Sequence, residues 1–116
     1  VAFMLRENLE LLQEMGIQPE ELICLGGGAL SDLWLQIKAD VTGLPCHTLA
    51  CPEATSLGAA ILAARGLGIQ PSVEAACRQM VRRDRAFLPQ EDEAYQGPYR
   101  LYRQLYQALR PVFAGD

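Results

Sequence analysis

The chain has 116 residues, half of them hydrophobic and 21% charged, which are the proportions of one modest globular domain and exclude wholesale disorder. Its net charge of −4 is unevenly spread, with two basic and eight acidic groups in residues 1–60 and eight and six in 61–116. No face gathers enough positive charge to track a nucleic acid, since the cluster Arg82-Arg83-Asp84-Arg85 is short and interrupted. No apolar run approaches the roughly 20 residues of a membrane span, and no secretory leader opens the chain, so a cytoplasmic location is expected.

Leu5, Leu9 and Leu12 follow Val1-Ala2-Phe3-Met4 at helical spacing and predict an amphipathic helix that stops at Gly16. No capping residue precedes it, so a longer chain upstream of Val1 is expected. Ile17 to Glu21 reads as a connection, and Leu22-Ile23-Cys24-Leu25 as a strand buried on both faces. Ser31 is placed to cap a second helix with Asp32 in its first turn. Trp34, Ile37 and Val41 are expected as that helix's buried stripe, and Gly43 before Pro45 as its end. Cys46-His47-Thr48-Leu49 is the second strand.

Pro52 and Glu53 open a third helix that runs to about Arg65 and ends at Gly66. Its interior is rich in small residues, and Gly58 in mid-helix suggests a close neighbour there, because glycine at that position costs roughly 1 kcal/mol relative to alanine. Pro71-Ser72 starts a fourth helix through about Met80, and Arg85 to Leu88 reads as extended up to Pro89. Tyr95, Tyr99, Tyr102 and Tyr106 form a helical stripe read as packing, with Pro98 either starting or disturbing the helix. Helix, strand, helix, strand, helix makes an α/β arrangement with parallel strands and flanking helices.

Four cysteines without a Cys-x-x-Cys, beside a single histidine, argue against a zinc site, and we read them as reduced, mostly buried thiols. Cys46 and His47 are strand neighbours that face opposite ways, so they make no nucleophilic pair. Asp40 reads as a structural hydrogen-bond partner, Glu53 as a helix-terminus carboxylate, and Glu91-Asp92-Glu93 as a solvated first turn. No residue stands out as a general base or as a metal ligand. The strongest local feature is the buried strand running into Gly26-Gly27-Gly28-Ala29 and then a helix. Such a loop lies where α/β sheets bind ligands and offers main-chain N–H groups to a phosphate, yet a plain tight turn explains it equally well. It matches neither a Walker A loop nor Gly-x-Gly-x-x-Gly.

Together, Gly26-Gly27-Gly28-Ala29-x-Ser31-x-x-Trp34-x-Gln36-Ile37-x-Ala39-Asp40-x-x-Gly43-x-Pro45 and Pro52-Glu53-Ala54-Thr55-Ser56-Leu57-Gly58-Ala59-Ala60 resemble the adenosine-binding segment and following helix of FGGY carbohydrate kinases, especially the xylulokinase-like branch. The opening helix and the Tyr-rich end resemble the flanking helices of that segment. The resemblance implies that residues 1–116 are the C-terminal, nucleotide-binding portion of a two-lobed, actin-like (ribonuclease H-like) ATPase. It implies ATP and Mg²⁺, a sugar such as xylulose as acceptor, Gly26, Gly27, Gly28 and Ala29 along the nucleotide, and Ser31 near adenine. Trp34, Gln36 and Asp40 would hold the loop, and the small face around Gly58 would pack behind it. The family's catalytic aspartate, sugar-binding residues and phosphate loops have no counterpart here, so this chain alone is expected to be inactive. A stand-alone actin-like module without catalysis and a glycerol-kinase-like relative are the alternatives. With the preceding strands missing, the Leu22–Leu25 edge would be open, and a homodimer built on that edge and the first helix is expected unless the helix folds over it.

Overall fold

In a computed structural model that describes residues 1–90 and 93–115, a three-stranded sheet of order β1-β2-β3 carries helices around it. Strand β1 (Leu22–Cys24) pairs in parallel with β2 (Cys46–Leu49), Leu22 opposite Cys46 and Cys24 opposite Thr48. Helix α1 (Ala2–Glu14) precedes β1, and α2 (Asp32–Thr42) makes the crossover between β1 and β2. Helices α3 (Ala54–Gly66) and α4 (Val73–Met80) then lead to β3 (Arg83–Phe87), and α5 (Glu93–Ala114) closes the described chain.

Strands β1 and β2 are parallel as expected, and the stretch read as extended joins them as a third strand, β3, which runs antiparallel to β2 with Cys46 opposite Phe87 and Leu49 opposite Arg83. The cause is the number of helices between the strands. One helix carries the chain back to the amino end of the sheet, so the next strand is parallel. The pair α3 and α4 makes two passes and delivers β3 beside the carboxyl end of β2, where Ala50 N–H donates to Arg82 C=O at 2.9 Å.

The helix boundaries follow local chemistry. Ser31 is the N-cap of α2, its Oγ accepting from Trp34 N–H at 3.3 Å, and Gly43 closes the helix at φ +71°. Ser72 caps α4 in the same way, accepting from Ala75 N–H at 3.1 Å. Helix α1 starts at Val1 with no side-chain cap, as its sequence implies. Helix α5 runs through both Pro98 and Pro111. Of the acidic turn expected at its start, Glu93 is exposed in the first turn, and residues 91 and 92 lie outside the described chain.

The core is small: Cys24, Ala29, Leu35, Ala39 and Cys46, with Leu22 and Phe87 packed against it. Three expectations change here. The fully buried residues of α2 are Leu35, Ala39 and Val41, with the Asp40 carboxylate beside them, while Trp34 and Ile37 are half-buried because the helix turns its Leu35 side to the sheet. Strand β1 is not buried on both faces, since it forms the sheet edge and Ile23 is 42% exposed. Gly58 has no close neighbour: a Cβ there would meet nothing within 4 Å, and only Ile61 of α3 is buried.

The packing read for the tyrosine stripe holds best at Tyr99, while Tyr95 and Tyr102 are half-buried and Tyr106 is exposed. Tyr99 is buried against Phe3, ring centres 5.6 Å apart, and its hydroxyl donates to Glu10 Oε2 at 2.7 Å. Tyr102 sits at 5.6 Å from the same Phe3 ring, and Arg6 lies over Tyr99 at 4.2 Å. Burial and the Glu10 carboxylate both push the Tyr99 hydroxyl above its ordinary value, so it stays a donor at any physiological pH. All four cysteines are free, Cys24 and Cys46 buried and Cys51 and Cys77 half-buried.

Candidate functional site

Beyond β1 the chain turns sharply. Gly26 has φ +71° and ψ −165°, a conformation essentially confined to glycine, and it redirects the backbone into a single 3₁₀ turn over Gly27–Ala29. Ala29 N–H donates to Gly26 C=O at 2.9 Å and Leu30 N–H to Gly27 C=O at 3.2 Å. Gly26, Gly27 and Gly28 are exposed, whereas Ala29 is buried in the core and anchors the far end of the turn. The result is a strip of bare main chain at the carboxyl end of a parallel strand, immediately before the N-terminus of α2.

Two side chains of α2 border that strip. A Cβ on Gly28 would lie 3.6 Å from Lys38 Nζ and 3.7 Å from the Trp34 ring, so both flank the open face of the turn. Lys38 Nζ also stands 5.4 Å from the Trp34 ring centre. An ammonium and an indole beside exposed glycine backbone suit an anionic group attached to a flat ring. Ser31, expected near adenine, spends its hydroxyl on the α2 cap.

A cavity of about 200 Å³ adjoins the far end of the turn, lined by Ala29, Leu30, Thr48, Pro52 and Arg85 among others. It lies at the carboxyl ends of β1 and β2. Of the five residues read as nucleotide-binding, Gly26, Gly27, Gly28, Ala29 and Ser31, the first four form the turn and only Ala29 lines this cavity.

Helix α2 is held from two directions. Gln36 Nε2 donates to Asp40 Oδ1 and to Leu88 C=O, both at 2.8 Å, and Gln90 N–H donates to Asp40 Oδ1 at 2.7 Å. Gln36 and Asp40 were read as holding the glycine loop; their bonds instead tie α2 to the residues just after β3. At its amino end, the Arg85 guanidinium from β3 pairs with Asp32 and donates to Ala29 C=O at 3.3 Å. Sequence reading missed Arg85, because its partners lie more than fifty residues upstream. Arg83 on the same strand pairs with Glu21, which also approaches His47 Nε2 at 3.3 Å, so the basic cluster ties the sheet together internally.

The strongly displaced thiol is Cys46, pushed up to about 12 by burial and then by the adjacent Cys24 thiol, which keeps it protonated and inert. Among the described residues no group of three His, Cys, Asp or Glu side chains could hold a metal ion. No helix of the described chain is long and apolar enough to cross a membrane.

Residues 1–67 match the model of the FGGY family of carbohydrate kinases, C-terminal domain. The autoinducer-2 kinase of Salmonella choleraesuis is 40% identical over 102 residues, covering 86% of this chain and 19% of its own length. The xylulose kinase of Bacillus subtilis is 35% identical over 108 residues, covering 91% of this chain and 22% of that protein. A crystal structure of ligand-bound xylulose kinase from Lactobacillus acidophilus superimposes with a TM-score of 0.85 at 24% identity, covering 98% of this chain and 24% of that one. The chain thus spans about a fifth of the length of the curated relatives it matches, and its fold is that of the C-terminal lobe of these actin-like kinases.

Proposed function

Because the chain belongs to the FGGY family of carbohydrate kinases, we propose that residues 1–116 are the C-terminal nucleotide-binding portion of an ATP-dependent sugar kinase. The observation that carries this is the exposed Gly26–Gly28 backbone at the end of β1, flanked by Lys38 and Trp34 and backed by buried Ala29. Gly26, Gly27, Gly28 and Ala29 line the nucleotide with main chain, Ser31 holds the helix that adenine borders, and Lys38 supplies positive charge.

In the proposed reaction a sugar hydroxyl forms a bond to the γ-phosphorus of ATP, the bond to the β–γ bridging oxygen breaks, and ADP leaves. The hydroxyl proton goes to a base outside this chain. Within it, the contribution is binding and orientation: the turn fixes the nucleotide, Arg85 reaches the turn at Ala29, and Gln36 and Asp40 hold α2 beside it. Mg²⁺, which the reaction class calls for, finds no set of ligands among the described residues. Two relatives that match over most of this chain are named for xylulose and for autoinducer-2, so a small polyhydroxylated ketone is the acceptor class we favour.

The free β1 edge, with Ile23 and Leu25 exposed, is covered in the longer protein by preceding strands; in the isolated chain it is the surface for a second copy. The functional test replaces the matching segment of Bacillus subtilis xylulose kinase by this chain. Xylulose-dependent ADP release by the chimera supports the assignment. A folded chimera that binds sugar and fails to bind ATP refutes it.

A further inference from the structure

We infer that Arg85 is the positioning residue for the glycine turn, an inference that rests on the nucleotide-binding reading above. Three consecutive glycines have no side chains with which to pack, so the turn's place must be set at its ends. One end is Gly26, fixed by its own backbone conformation and by β1. The other end is Ala29, whose methyl group is in the core and whose carbonyl accepts from Arg85 Nη2 at 3.3 Å.

The same guanidinium pairs through Nη1 with the Asp32 carboxylate in the first turn of α2, and its Nε lies 3.6 Å from Asp84 Oδ2. Its Cζ stands 5.6 Å from the Phe87 ring centre, and its backbone N–H donates to Thr48 Oγ1 at 3.1 Å. One planar side chain therefore joins the sheet to the last carbonyl of the turn and to the helix that follows. A lysine could meet Asp32 or the carbonyl, but not both in this fork geometry. Arg85 and Asp32 are 41% and 67% exposed, so the pair adds little to global stability and its effect is local. Arg85 also lies outside the family-matched span 1–67, so the turn is positioned by a part of the chain that the family pattern does not cover.

The test uses the full-length protein with Arg85→Ala, Arg85→Lys, Gly28→Val, and Arg83→Ala, which breaks the neighbouring Glu21 pair. Arg85→Ala is expected to raise KM for ATP roughly five- to tenfold, the scale of one partly exposed charge-assisted hydrogen bond. KM for the sugar should hold, Arg85→Lys should recover part of the loss, and Arg83→Ala should leave both KM values in place. Amide hydrogen exchange of residues 26–31 without nucleotide should quicken in Arg85→Ala, a readout that needs no activity. Unchanged ATP KM and unchanged exchange in Arg85→Ala, alongside a raised ATP KM in Gly28→Val, would overturn this inference and leave the nucleotide reading standing. If Gly28→Val too leaves the ATP KM unchanged, the nucleotide reading falls and this inference with it.

Discussion

Replacing Gly28 and Gly26 by alanine separates what the turn does for folding from what it does for ligand. Gly28 is not among the positive-φ glycines, and a methyl group there would meet Lys38 Nζ at 3.6 Å and the Trp34 ring at 3.7 Å, both ordinary contacts. Gly28→Ala should therefore stabilise the fold, by about 0.4–1 kcal/mol, because the unfolded chain loses freedom and the folded one gains no strain. Gly26 is in open space too, with nothing within 4 Å of a Cβ, yet its φ of +71° and ψ of −165° disfavour any side chain. Gly26→Ala should cost about 1–3 kcal/mol. If the turn faces a nucleotide, Gly28→Ala must also cover the surface the ligand needs. The expected combination is a slightly higher urea midpoint with a raised KM for ATP. Equilibrium unfolding and steady-state kinetics on the same preparations read both. A Gly28→Ala protein that is less stable than the parent, or one equally good with ATP, would refute the reasoning.

Other outcomes follow from the packing. Asp40→Leu leaves Gln90 N–H without its acceptor and Gln36 Nε2 with Leu88 C=O alone, so denaturant unfolding should show a loss of about 1–3 kcal/mol, with Asp40→Asn milder. Cys46 holds its proton to about 12 in the folded chain against an ordinary 9.0, so its contribution is full below pH 9 and is lost as pH climbs through that window; the decline in urea midpoint should be shallower in Cys46→Ala. The isolated chain should grow in apparent mass with concentration in light scattering through its β1 edge, and a strict monomer at high concentration would contradict that surface.

The parts legible in the sequence are those governed by near neighbours. Ser31 and Gly43 announced both ends of α2, Ser72 began α4, and the tyrosine spacing gave the stripe of α5, though not its partner α1. The FGGY resemblance was legible too, because Gly26 to Pro45 keeps its order and separations. What was not legible depends on distant partners. The direction of β3 follows from two intervening helices, and nothing in Arg83–Phe87 itself encodes it. For Arg83 and Arg85 the sequence excluded only a nucleic-acid track, because Glu21, Ala29 and Asp32, which absorb them, lie far upstream. Gly58 misled for the opposite reason: a helix of small residues suggests a close neighbour, and in this chain alone α3 presents most of that surface to solvent.

The central claim is that the turn after β1 lies against the nucleotide, and photolabelling tests it most directly. The full-length protein would be irradiated with 8-azido-ATP, digested, and its labelled peptides mapped. Label is expected within the stretch from Gly26 to Lys38, abolished by excess ATP and unaffected by sugar alone. Label confined to other parts of the protein, or label in this stretch that ATP does not displace, would contradict it.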